Sequence, residues 1–197
     1  MKSFVLAFAA LFSFLTIAYA QPTPEQKAKS DQVMQKLRQI DILTQIVPLV
    51  LTKDQLNALL PVVEKARAAV YKTEKDEAEA LAKLDSKVTS AVDTSVDKGV
   101  PPSKELLDEL ADLTFKWSLN RSAVSTANTD LVLKKFKEVT NVGQQKAAIN
   151  SLAPQLIDPS LDPKKMSDED KLRFFIQQIF LDPQCYPILI RLAAKAK

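Results

Sequence analysis

Residues 49 to 61 read LVLTKDQLNALLP. Thr52 followed three positions later by Gln55 is the pattern of a capping box. In that motif the Thr52 hydroxyl accepts from the Gln55 amide, and the Gln55 side chain accepts from the Thr52 amide. Leu51 stands just before the cap and Leu56 is the fourth helical residue, the spacing of a hydrophobic staple. The stretch therefore predicts a helix that starts at Lys53 with a fixed entry direction. Leu56, Leu59, Val63, Ala66 and Val70 lie on one face, and Leu81, Leu84, Val88, Val92 and Val96 continue it. Between them, YKTEKDEAEA is charged and favours helix. Its Glu74, Asp76, Glu77 and Glu79 alternate with Lys72, Lys75 and Lys83, which predicts a solvated face. A helix running on to Asp97 would measure about 69 Å at 1.5 Å per residue. Pro61 lies inside it, removes one hydrogen bond and calls for a kink. Either an elongated molecule or a break near Pro61 follows.

The neighbouring segments are helical too. Thr23-Pro24-Glu25-Gln26 has the form of another capping box, with proline at the first helical position. Val33, Leu37, Ile40 and Val47 then recur at helical spacing, and Pro48 marks the end. After the long helix, KGVPPS is a turn, in which Gly99 closes one helix and Ser103 caps the next. Leu106, Leu110, Leu113, Trp117, Val124, Ala127 and Leu131 form its seam, mostly in alternating steps of three and four. Asn120 interrupts that seam, either setting register or facing water. The second and third helices are expected to pair as a long antiparallel hairpin. Asn141 with Gln144 caps a shorter helix, and APQLIDPSLDPKK is expected as a loop. Ser167 opens a helix carrying Leu172, Phe175, Ile176, Ile179 and Phe180 on one face. Asp182 and Pro183 open the last one, which carries Cys185, Ile188, Leu189, Leu192 and Ala193. The predicted class is all-α: a long antiparallel helical hairpin with shorter flanking helices, arranged as an elongated bundle.

Composition agrees. The 197 residues contain only two glycines, Gly99 and Gly143, too few for the many tight turns of a sheet protein. Hydrophobic residues make up 46%, enough for a packed core. The net charge is +3 with both signs interleaved, so no basic patch for nucleic acid is expected. Lys2, the apolar run Phe4 to Ile17 and Ala18-Tyr19-Ala20 read as a signal peptide over residues 1–20. That leaves one all-helical domain over 21–197, exported to the periplasm or the extracellular space. An uncleaved anchor is the alternative, although the run falls short of the about 20 residues of a comfortable span. Cys185 is the only cysteine, so no internal disulfide can form. It can pair with a second chain, react as a free thiol, or sit buried in its helix stripe.

The residue inventory removes most catalytic chemistry. There is no histidine, hence no Ser-His relay and no imidazole metal ligand. One cysteine cannot build a zinc site of the Cys/His type within one chain. No glycine-rich phosphate loop or EF-hand spacing occurs. No catalytic, cofactor-binding or metal residue is assigned, and an enzyme is not expected.

Leu51-Thr52-Lys53-Asp54-Gln55 resembles the L-T-x-x-Q signature of exported helical proteins related to Spy and CpxP. The resemblance implies a periplasmic, all-helical, often dimeric protein whose long antiparallel helices form a cradle. It also implies ATP-independent chaperoning or modulation of envelope stress signalling. Departures are visible. Pro22 stands where Thr23–Gln26 would need a leucine, and near Val139-Thr140 the nearest glutamine is Gln144, one position late. A second full motif is therefore missing, and the lack of histidine counts against metal sensing. The expected partners are unfolded or envelope polypeptides, with a homodimer among the expected assemblies. Phe115, Trp117, Phe174 and Ile190 are the candidate partner-binding residues. The alternative is a membrane-surface or purely structural secreted protein, with KLRFFIQQIF and PILIRLAAKAK as apolar stripes flanked by Lys171, Arg173 and Arg191.

Overall fold

The computed structural model describes residues 23–152 and 154–196; the predicted leader, residues 1–20, lies outside them. Among the described residues every regular element is helical: α1 (Pro24–Ile46), α2 (Lys53–Lys98), α3 (Lys104–Val139), α4 (Val142–Ser151), α5 (Pro154–Ile157), α6 (Asp168–Phe175) and α7 (Cys185–Lys195). A 3-10 turn, Val47–Leu49, follows α1, and a π turn, Ile176–Phe180, continues α6. Contacts divide the chain into two units inside α1, between Met34 and Gln35. The first unit contributes the opening turns of α1. There the Thr23 amide donates to Gln26 Oε1 at 2.9 Å, and the Gln26 amide donates to Thr23 Oγ1 at 3.2 Å.

The second unit holds the core and the hairpin. Three cross-links set the hairpin's direction. Asn128 Nδ2 donates to the Ala66 carbonyl at 3.0 Å, Arg121 Nε donates to Glu77 Oε1 at 2.8 Å, and Lys87 pairs with Glu109. Numbers rise along α2 as they fall along α3, so the two helices are antiparallel. Gly99 ends α2 with φ 64°, a left-handed conformation that costs glycine no Cβ clash. Ser103 Oγ accepts from the Leu106 amide to start α3. α2 runs unbroken for 46 residues through Pro61.

The core gathers where the first third of α2 and the last third of α3 meet α4, α6 and α7. Phe136, Phe175 and Phe180 pack with ring centroids 5.3–6.2 Å apart. Around them lie Leu56, Leu59, Val63, Val132, Ile176, Ile179, Ile188 and Leu189, all buried. The π turn, with the Leu181 amide donating to the Ile176 carbonyl at 3.0 Å, keeps Ile176, Ile179 and Phe180 all facing inward.

Several expectations are corrected. Val33, Leu37 and Ile40 on α1, and Val47 in the turn that follows it, are about half exposed; Ile42, Ile46 and Leu49 face the core instead. α1 carries two apolar faces, and periodicity alone cannot say which one a neighbour covers. Leu81, Val92 and Val96 on α2 are also exposed, because that part of α2 has only α3 beside it, and Val70 is exposed on the floor of an open groove. Glu77 is buried, unlike its exposed neighbours Glu74, Asp76 and Glu79, because Arg121 reaches across to it. Asn120 faces water; Asn128 and Thr129 are the buried polar residues of α3. The predicted proline-rich loop contains the single turn α5. Asp182 does not cap α7 directly. It accepts from the Gln184 amide at 2.7 Å, and the helix begins at Cys185.

Candidate functional site

Two capping boxes meet head to head. At α2, the Gln55 amide donates to Thr52 Oγ1 at 3.2 Å and the Thr52 amide donates to Gln55 Oε1 at 2.9 Å. At α4, the Gln144 amide donates to Asn141 Oδ1 at 2.9 Å and the Asn141 amide donates to Gln144 Oε1 at 3.0 Å. The two glutamine amides then bond each other reciprocally, Gln55 Nε2 to Gln144 Oε1 and Gln144 Nε2 to Gln55 Oε1, both at 3.0 Å. Gln55 Nε2 also reaches the Val139 carbonyl at 2.7 Å, and Gln144 Nε2 the Leu49 carbonyl at 3.0 Å. Each glutamine thus caps its own helix and satisfies the chain that leads into the other. Asn141 fills the role that threonine has in the first box, so a second capping unit exists where the sequence lacks the second full motif. Leu56 is buried and Leu51 half-buried against the core, as the staple requires. The motif Leu51, Thr52, Gln55 and Leu56 is structural: it pins the α1–α2 and α3–α4 connections together. Val50, on the same connection, has φ 48°, a strained conformation for a β-branched residue.

Further along the hairpin, a groove of about 700 Å³ opens between α2, α3 and residues 177–183. Ala66, Val70, Val124 and Leu181 give it an apolar floor, and Tyr71 stands at its edge, 70% exposed. Arg121 lines one side while bound to both oxygens of Glu77. That bond outweighs the cost of burial and holds the Glu77 carboxyl below its usual range. Arg67 lines the other side, paired with Glu64 at 2.8 Å and lying over the Tyr186 ring at 4.4 Å. Both guanidiniums are already matched by carboxylates. The groove therefore presents apolar surface, amide or hydroxyl groups from Asn128, Gln177 and Ser125, and the exposed carboxylate of Glu74. Its size lies within the range of ligand sites.

The candidate partner-binding residues are not brought together. Phe115 is 65% exposed on the outer side of α3, whereas Trp117 is half-buried in the seam. Phe174 is half-buried on α6, and Ile190 is 46% exposed on α7. Arg173 pairs with Asp130 of α3 at 2.6 Å, which sets α6 about 22 Å along α3 from Phe115. The apolar stripes of α6 and α7 complete the core, so the surface there keeps mainly its charges. Cys185 is wholly buried, and burial, with Asp182 nearby, pushes its thiol pKa far up, so thiolate chemistry is suppressed. Among the described residues no cluster of three metal-ligating side chains occurs. Sequence reasoning missed the groove. Its floor is assembled from three segments, and Val70 reads as an ordinary core position on its own helix.

The chain matches no family model, no curated protein and no solved structure.

Proposed function

We propose that this chain is an exported, non-enzymatic protein of the cell envelope that binds other polypeptides without nucleotide, as a Spy-like chaperone or a modulator of stress responses. The observation that carries the reading is the open groove with an apolar floor and self-neutralised arginines. Such a surface accepts uncharged, apolar stretches of chain and gives no advantage to a phosphate or a metal. The Leu51–Gln55 likeness supports the reading, as does the reciprocal capping pair that fixes a two-box helical frame. The membrane-surface alternative rested on the α6 and α7 stripes, which lie in the core.

The test is suppression of light scattering by an aggregating, reduced client at equimolar protein. Wild type is expected to suppress scattering. Val70→Glu places a charge on the groove floor at a site already 43% exposed, so the fold is retained and suppression falls severalfold. Equal activity of wild type and Val70→Glu would remove the groove from the account. No suppression by wild type would remove chaperoning itself.

A further inference from the structure

We propose that the groove selects among polypeptides: it takes a short extended segment in which an apolar side chain is followed two residues later by lysine or arginine. The inference rests on the groove being the polypeptide site and adds which sequence it holds. Charge is the first support. In the run from Lys72 to Glu79, Lys72 pairs with Asp76, Lys75 with Glu79, and Arg121 of α3 with Glu77. Glu74 is the one acid of that run with no ion pair among the described residues, and it is the one that lines the groove. At the other end Arg67 is matched by Glu64. Two guanidiniums thus face three carboxylates, which leaves one negative charge on an open rim. Tyr71, three residues before Glu74 and on the same helix face, lines the groove beside it and offers an aromatic ring to the same cation.

Spacing is the second support. From Ala66 to Glu74 the α2 wall of the groove is about 12 Å long, room for three or four residues of extended chain. Val70 on the floor and Glu74 on the rim are four helical residues apart, a rise of about 6 Å. In an extended segment, side chains two residues apart point the same way and stand about 7 Å from each other. An apolar side chain set on Val70, Val124 and Leu181 therefore places the second residue after it beside Glu74 and Tyr71. The intervening side chain points to water and is free to vary. The Gln177 amide and the Ser125 hydroxyl face the same space and can bond the segment's backbone. A single rim carboxylate, exposed to solvent, gives selectivity of a fewfold and a readily reversed contact.

Chemical-shift titration of the full chain with capped peptides tests this. The parent peptide is Ser-Leu-Thr-Lys-Ser; its siblings carry acetyl-lysine or glutamate in place of lysine, or serine in place of leucine. The lysine peptide is expected to bind about two- to fivefold tighter than the acetyl-lysine peptide, and the glutamate peptide weakest. Glu74→Gln is expected to close that gap and leave the acetyl-lysine peptide's affinity unchanged. Glu74→Lys is expected to reverse the order in favour of glutamate. Glu74 is exposed, so both variants keep the circular dichroism of wild type. Val70→Ser is expected to weaken the lysine and acetyl-lysine peptides alike, and added salt to narrow the gap between them. Equal affinity for those two peptides, or a gap that survives Glu74→Gln, overturns the proposal. Equal binding of the serine-for-leucine peptide reduces the site to a bare cation contact and overturns the pairing. No binding of any peptide at millimolar concentration overturns it as well. The groove's role in chaperoning is judged separately, by light scattering with Val70→Glu, so a groove that holds apolar chain without regard to charge would fail here and pass there.

Discussion

Gln55 shows how much one side chain can organise. Its oxygen accepts from the Thr52 amide and from Gln144, while its nitrogen donates to Gln144 and to the Val139 carbonyl. Replacing it with leucine strands a helix-start amide, a carbonyl and the Gln144 amide group in partly buried surroundings. A cap is worth about 1 kcal/mol and a stranded buried polar group about 1–3. Gln55→Leu should therefore cost about 2–4 kcal/mol by urea unfolding, against about 1 for Thr52→Ala. Gln144→Leu should cost a similar amount. The double variant should cost less than the sum, because the bond between the two amides is lost only once. Additive losses would show that the glutamines act independently. The capping role of each was legible in sequence, since a box involves residues three apart. Their mutual bond was not, because it joins positions 89 residues apart.

At the scale of elements, α2 and α3 are each two different helices in one. Near the core, Leu56, Leu59, Val63, Val132 and Phe136 are buried on several sides. Farther out, only Leu84 and Leu106 are buried apolar residues, and Phe115, Leu119, Leu81 and Val92 face water. Two helices alone cannot close a core, so that part is held by a thin seam and by exposed pairs such as Lys87–Glu109, which contribute little. Amides of residues 84–95 and 106–118 should exchange hydrogen at least about tenfold faster than those of 58–66 and 130–136. Uniform protection along both helices would contradict this. The heptad steps made the hairpin readable. Where the third dimension of packing stops along it could not be read, because the stripe continues past the last covered turn. α1 teaches the same lesson in reverse: its best stripe is the one its own core leaves uncovered.

For the whole molecule, stability comes from packing with no crosslink, since its only cysteine is buried and free. Several carboxylates are held below their ordinary range by hydrogen bonds: Glu77 by Arg121, Glu105 by its own amide and Ser103, Asp158 by Ser160, and Asp170 by Ser167. A carboxylate whose folded pKa is depressed stabilises the fold above its unfolded value, about 4 for these groups. That contribution fades as pH falls below this value and through the folded one. Unfolding free energy should thus be flat near neutral pH and drop in acid. Glu77→Gln should make the acid limb shallower, while leaving the contributions of the three helix-start and turn carboxylates. An acid limb unchanged by Glu77→Gln would show that the Arg121 bond does not persist in solution.

The sequence by itself determined the helices and their punctuation: Thr52, Ser103, Asn141 and Ser167 as caps, Gly99 as the turn, and the hairpin between long apolar stripes. The caps and the turn depend on contacts within a few residues, so local chemistry settles them, and a short turn between two long apolar stripes leaves the hairpin as the way to bury both. Only the tertiary structure decided which face of α1 enters the core, why Glu77 is buried, how Gln55 meets Gln144, and where Val70, Val124 and Leu181 converge into a groove. Each of those depends on residues far apart in the chain, and a stripe at helical spacing says that a helix has an apolar face without saying what, if anything, covers it.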